Sequence, residues 1–508
     1  MTVTVSARST RRGGDGTWKI AAVAVFVAFV LGGSVGIAPL LAVAGIAAIA
    51  IAVLAIVAPD SATLVALFLL YSNAMVVAVR SHGVPGIATL AVPLLLAVPF
   101  AYHVLARREP LIVPIPALWM LGYLGVLLVS GAASADPTTA LSEVETFVVE
   151  GLLLYLLVVN VIRSPAVARH AVWTLLVAGA LMGGLSVFQA ATGAYDQEFG
   201  GFAQLGNEQA KQADALRRLA GPIGEQNRYA QVLVVLVPLA LVFAWRTHRR
   251  GVRIAALVFL AAITGGVVLT FSRGAGLGLG VALVTLAALR VVRPRHFLAV
   301  VGGVVLLLAL VPSYRDRLST LQTVSAATAE AGSAGDVADG SVRSRATENI
   351  AALLAFGDHI ALGVGPGQFP AVYQAYAEDL GIRLRSGSRE AHSLYLGVLA
   401  ETGIAGAAAI TGIMASTVMG LLRARRSTDP DLRLLADGLL AAVATYLTTG
   451  FFLHISYGRY LWTLLAVAGT VGYLARRPPT LAPPLPPALA ASGAFATDNS
   501  GRRPEEDA

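Results

Sequence analysis

Apolar runs of the length a lipid bilayer demands recur from one end of this chain to the other. A helix crossing the hydrocarbon core needs about 20 predominantly apolar residues. Fourteen candidate runs are present, near 19–35, 37–58, 61–79, 86–105, 111–132, 145–162, 168–191, 228–245, 252–271, 275–290, 296–312, 393–422, 433–453 and 460–475. Lipid offers no partners to backbone N–H and C=O groups, so runs of this kind fold as helices packed together. Apolar residues make up 56% of the chain and charged residues only 13%, against about 25% charged in a soluble domain. The expected fold is therefore all-α, a polytopic membrane protein of about 12–14 transmembrane helices.

The charges give the orientation. The formal net charge is +8, and Lys19 and Lys211 are the only lysines, so the basic residues are nearly all arginine. With a cytoplasmic N-terminus, the even-numbered gaps carry Arg107-Arg108, Arg163 with Arg169, Arg246 to Arg250, Arg290 with Arg293 and Arg295, and Arg423 to Arg426. The short odd-numbered gaps are poorer in arginine, as the positive-inside rule requires. Such an excess reads as topology rather than as nucleic-acid binding. The expected organisation is a cytoplasmic tail over 1–18, a helical bundle over 19–312 with an external loop at 192–227, a long external loop at 313–391, closing helices over 392–475 and a disordered cytoplasmic tail over 476–508. The first apolar run leads straight into the second without a clear cleavage site, so it reads as a retained span rather than a signal peptide. Cysteine is absent, which removes disulfides, zinc–thiolate sites and a cysteine nucleophile.

Polar chemistry gathers in and beside the two long loops. Arg273 follows Phe271-Ser272 and precedes Gly274-Ala275-Gly276 between two apolar runs. It reads either as an interfacial arginine reaching for headgroups or as a phosphate clamp, for which a planar guanidinium is suited. Arg343 and Arg345 open a segment that looks helical to Phe356, and Gly363-Val364-Gly365-Pro366-Gly367 marks a turn. His392 stands where the loop enters a span. It reads either as a structural histidine or as a base for a hydroxyl proton. Glu401 lies nine residues on, about 13 Å along a helix, and reads as structural. No helical His-x-x-x-His pair or P-loop is present, so a metal site and ATP-driven transport are disfavoured. The Gly32-Gly33-Ser34-Val35-Gly36 run joins two apolar runs and lacks the strand–turn–helix context of a hydrolase elbow.

These clusters together resemble the O-antigen ligase and polymerase superfamily of bacterial membrane glycosyltransferases. The resemblance rests on Ser272-Arg273 at a short turn, on Arg345 with His359 and Leu362 to Phe369, on Ala391-His392-Ser393-Leu394-Tyr395-Leu396, and on Glu401-Thr402-Gly403-Ile404-Ala405-Gly406. Arg218 to Tyr229 is similar to a family segment that precedes a span. The chain departs from the family pattern at Asn349, where tryptophan is usual, and at Ser393 and Ile360. The resemblance implies a GT-C-like architecture in the bacterial inner membrane, with the active site on the external side. It also implies a donor glycan linked to a polyprenyl diphosphate such as undecaprenyl diphosphate, and a glycan, lipid or protein acceptor, with no cofactor, metal or nucleotide. In that reading Arg273 and Arg345 hold the diphosphate, Arg343 supports them, Arg218 is a further donor-site candidate, and His392 is the general base. A ligase and a polymerase need the same donor clamp. A transporter or flippase is the alternative outside the enzyme class.

Overall fold

The structure is a computed structural model describing residues 57–206, 217–292, 336–379, 389–454 and 458–476, with isolated positions 53 and 302. The expected runs at 19–35, 37–58 and 296–312 and the tail beyond 476 lie wholly or almost wholly outside the described residues, as does the Gly32–Gly36 motif. Among the described residues, eight helical segments are long and apolar enough to cross a membrane, or nine if one bent pair forms a single span. The molecule is an all-α polytopic membrane protein.

The bent pair comes first: α1 (Pro59–Tyr71) and α2 (Ala74–His82) meet at 56°. Asn73 takes a left-handed conformation at the bend, with φ 61°, and donates through Nδ2 to the Pro222 carbonyl at 2.7 Å. α3 (Ala91–Ala101) and α4 (Ile115–Ala132) follow. α5 (Pro137–Thr146) continues through a π-helical turn into α6 (Leu154–Val161) as one span. The long α7 (Pro165–Thr192) shows its boundaries in sequence: Ser164 caps its start by accepting from the Val167 N–H, and Gly193 ends it at φ 68°.

The centre of the bundle is α8 (Gln226–Val234) with α9 (Val237–Arg246), a near-continuous span buried over most of its length. α10 (Arg250–Leu269) packs along α7 where Gly183 meets the Ala262 backbone. Small residues allow this closeness, which helix association in lipid relies on. α11 (Arg273–Ala288) packs through Gly278 on Thr445 and Thr449 of α15 (Pro430–Thr449). The last helix, α16 (Arg459–Leu474), is buried along nearly its whole length around Trp462.

The long loops are not structureless. Gln204–Leu205 and Leu219–Gly221 form a two-stranded antiparallel hairpin, β1 and β2, a feature the all-α reading did not include. The expected helix over 343–356 is present and longer, as α12 (Asp336–Asp358). α13 (Phe369–Asp379) packs on it. Ala351, Ala352 and Ala355 of α12 share a small core with Phe369 and Tyr373 of α13 and with Ala391 and Ala400.

That subdomain is locked to the bundle through a broken helix. α14 (Leu394–Ala424) is interrupted at Gly403, whose φ 61° and ψ −161° are not helical. A single continuous span was expected over 393–422. The break frees backbone groups, and the 360–365 segment takes them up. Val364 N donates to Ala400 O at 2.8 Å and Gly365 N to Glu401 O at 3.0 Å, while Ile404 N donates to Ile360 O at 2.9 Å. Ser130 Oγ donates to Leu362 O at 2.6 Å from α4. A Cβ at Gly403 would lie 2.5 Å from the Ala361 carbonyl carbon, and one at Gly363 would lie 2.6 Å from Ala400 O. The glycine-rich turn and the Glu401-Thr402-Gly403 motif are therefore two halves of one interlock.

Candidate functional site

Arg273 is the first residue of α11, with Ser272 at the N-cap and no acidic residue in the first turn. The turn that delivers it is rigid. Thr270 Oγ1 donates to Val267 O at 2.7 Å and accepts from Ser272 N at 3.2 Å. Phe271 between them sits at φ 52°, a left-handed conformation that a bulky residue adopts only when its surroundings enforce it.

Arg218 supplies part of that enforcement. Its Nε donates to Thr270 O at 2.8 Å and its Nη2 to Asn227 Oδ1 at 3.0 Å. The guanidinium thus ties the β2 hairpin and the start of α8 to the Arg273 turn. Glu225 caps α8, accepting from Asn227 N at 3.0 Å and Arg228 N at 2.6 Å.

Arg228 carries the connection onward. Its Nη2 lies 3.1 Å from Glu390 Oε2. Glu390 is also 3.9 Å from Nδ1 of His454. His392, two residues after Glu390, places Nδ1 2.7 Å from Glu348 Oε2 and 3.3 Å from the Glu390 carbonyl. Glu348 is almost completely buried, with 1% of its side chain exposed against 35% for His392. On α12, Glu348 lies three residues after Arg345, a spacing that puts the two on one helix face. Arg345 itself is half-buried. The side chain of Arg343 lies outside those described.

The segment between α15 and α16 closes this end. Phe452 lies against Gly274, where a Cβ would come within 3.2 Å of its ring, and His454 lies against Gly397 near the start of α14. Burial pushes the His454 imidazole below its ordinary value, with Arg228 and His392 adding to the effect and Glu390 opposing it. Its ring is therefore neutral at physiological pH.

Arg273, Arg218, Arg345 and His392 thus belong to one end of the bundle, linked by contacts that run from Thr270 to Arg218, Asn227, Arg228, Glu390, His392 and Glu348. Arg228, Glu348, Glu390 and His454 were missed in the sequence. Arg228 falls within the Arg218 to Tyr229 segment already singled out, and Glu390 directly precedes the Ala391-His392 motif. Nothing local marks Glu348 or His454.

Charge and helix direction combine here. α8, α11, α14 and α16 all begin at this end. A helix start carries about half a positive charge and unpaired N–H groups. Arg273 and Arg459 are first residues of their helices and Arg228 is the third of its own. Cations in a first turn oppose the helix dipole, so their concentration here raises a positive potential suited to a multiply charged anion.

The fold and this polar end describe a multi-pass membrane protein with a basic, imidazole-bearing cluster drawn from distant segments. Residues 258–411 match a protein-family model described as O-Antigen ligase. The matched stretch contains Arg273, Arg345 and His392. No curated protein matches the chain.

Proposed function

We propose that this O-antigen ligase-like membrane enzyme transfers a glycan from a polyprenyl-diphosphate carrier to an acceptor hydroxyl on the external face of a bacterial inner membrane. The observation that supports this best is the gathering of arginines and helix starts beside an imidazole at one end of the bundle.

Arg273 and Arg345 hold the diphosphate in this reading, with Arg343 in support. Arg228 contributes positive potential, and Arg218 acts through the Thr270–Arg273 turn. The acceptor oxygen attacks the anomeric carbon as the bond from that carbon to the phosphate oxygen breaks. The bonding pair leaves with the polyprenyl diphosphate, where guanidinium groups stabilise the developing charge. The hydroxyl proton passes to His392. Direct attack inverts the anomeric centre. The free energy resides in the lipid diphosphate, so no nucleotide is needed outside the cell.

Ligase and polymerase share this chemistry. In a strain lacking the protein, a long unattached polymer on the lipid carrier marks a ligase, and accumulated single-repeat lipid marks a polymerase. Unaltered lipid-linked glycan in that strain contradicts both.

A further inference from the structure

Glu348 lies on α12, outside the residues that carry the family resemblance. Its carboxylate is buried to 1% exposure on α12, inside the subdomain formed by the long loop, and meets Nδ1 of His392 at 2.7 Å. A carboxylate held so far from water needs a compensating positive charge nearby, and the His392 ring is close enough to be its ionic partner. The same Nδ1 faces a second acceptor, the Glu390 carbonyl at 3.3 Å. A carbonyl oxygen only accepts, so this hydrogen bond requires the hydrogen on Nδ1, beside the Glu348 carboxylate. Nε2 of the neutral ring is then the lone-pair nitrogen, the form a base requires.

We infer that Glu348 is the positioning residue for His392, holding its imidazole in the Nδ1–H tautomer with Nε2 turned to the acceptor hydroxyl. This rests on the reading above that His392 takes the acceptor proton. When Nε2 receives that proton, Nδ1 keeps its own hydrogen, and the adjacent Glu348 carboxylate stabilises the imidazolium by its charge without itself becoming protonated. The proton then leaves Nε2 for water, returning the ring to its starting form.

The arrangement also gives α12 and its subdomain a purpose. Arg345 and Glu348 lie one turn apart on one helix. The helix that brings a cation for the diphosphate thus brings the group that orients the base. Seating α12 through the interlock at Gly363 and Gly403 sets both at once. His454 also neighbours Glu390, but its ring is more buried than that of His392, with 14% against 35% of the side chain exposed.

The test uses the purified full-length protein in nanodiscs, with lipid-linked glycan extracted from a strain lacking the protein as donor and membrane extract as acceptor. Glu348→Gln should lower kcat by about 100-fold or more, within the roughly 10²–10⁴-fold that a general base contributes, with the donor KM essentially unchanged, and Glu348→Asp should restore part of it. In a His392→Ala background Glu348→Gln should cost nothing further, because residues acting as a unit are not additive. In a His454→Ala background its full cost should persist. An unchanged kcat in Glu348→Gln, or a full additional loss on top of His392→Ala, overturns the positioning role. Independently of turnover, 15N spectra of histidine-labelled wild-type protein, assigned by the signal lost in His392→Ala, should show the Nδ1–H tautomer, and an Nε2–H tautomer overturns the pairing. If the wild type makes no product, the transferase reading itself fails. An active wild type with an indifferent Glu348→Gln fails the positioning role alone.

Discussion

α11, about 24 Å long by its 16 residues, has an arginine at each end: Arg273 is its own first residue, and Arg425, which follows α14, reaches its C-terminal end. At the C-terminal end, Arg425 donates through Nη2 to the Leu289 carbonyl at 2.9 Å and through Nε to Asp437 at 2.6 Å. Arg246 reaches the same Asp437 at 3.6 Å and the Arg290 carbonyl at 3.4 Å. Nearby, Arg169 pairs with Asp431 at 2.9 Å. Arg425 and Arg246 meet the negative end of helix dipoles and satisfy orphaned carbonyls, whereas Arg169 pairs with an acid near the starts of α7 and α15. Arg273 meets the positive end instead, with no acid in its turn. The same side chain therefore closes helices at one end and concentrates positive charge at the other. Helices that open at the first end also carry arginines near their starts, Arg250 and Arg253 in α10, Arg169 in α7 and Arg433 in α15, but each of the last two has an acid beside it.

Activity and stability should separate along that division. Arg273→Ala or Arg345→Ala should reduce transfer on the order of 10²–10³-fold at unchanged expression, measured as product from lipid-linked donor. Full activity in either variant removes that residue from the donor site. Gly403→Ala comes next. A left-handed conformation and the contact with Ala361 both exclude a side chain there. Backbone strain alone costs about 1–3 kcal/mol, so this variant should lower the melting temperature in detergent sharply. An unshifted melt would show that the interlock is dispensable.

Asp437→Ala should cost about 1–3 kcal/mol, discounted from a fully buried pair because Arg425 and Arg246 are partly exposed. The folded fraction should retain wild-type kcat, which a stability-corrected assay reads. Loss of kcat as well would mean the two ends are coupled. The smallest effect belongs to His454. Its pKa is depressed by burial from the ordinary 6.5, so the unfolded chain takes up a proton that the folded chain does not. Stability is then intact above pH 6.5 and falls as the pH drops below it. His454→Gln should flatten that acid side in melts between about pH 8 and about pH 5.

The bundle was legible because span length and loop charge are local properties. Eleven of the fourteen candidate runs coincide with described helices, with boundaries shifted by a few residues. The break at Gly403 was not legible. A hydrophobic run reads as continuous whether or not one glycine inverts the backbone, and the compensating hydrogen bonds come from residues about 40 positions away. Arg273, Arg345 and His392 stood out because charge beside apolar runs is rare. Glu348 did not, because a helical acid in a polar loop looks solvated until the fold buries it. Arg218 shows the reverse: it reads as a ligand group, yet its Nε and Nη2 hold the Thr270 carbonyl and Asn227.

Whether the helix-start end of α11 is a lipid-diphosphate site can be measured on the purified protein in nanodiscs, given polyprenyl-diphosphate-linked glycan and acceptor with no ion gradient and no added nucleotide. The expected result is glycosylated acceptor with release of polyprenyl diphosphate in the wild type, almost none in Arg273→Ala, and undiminished turnover in Arg169→Ala at the other end. Product formation in Arg273→Ala equal to wild type, or transfer in neither protein, would contradict it.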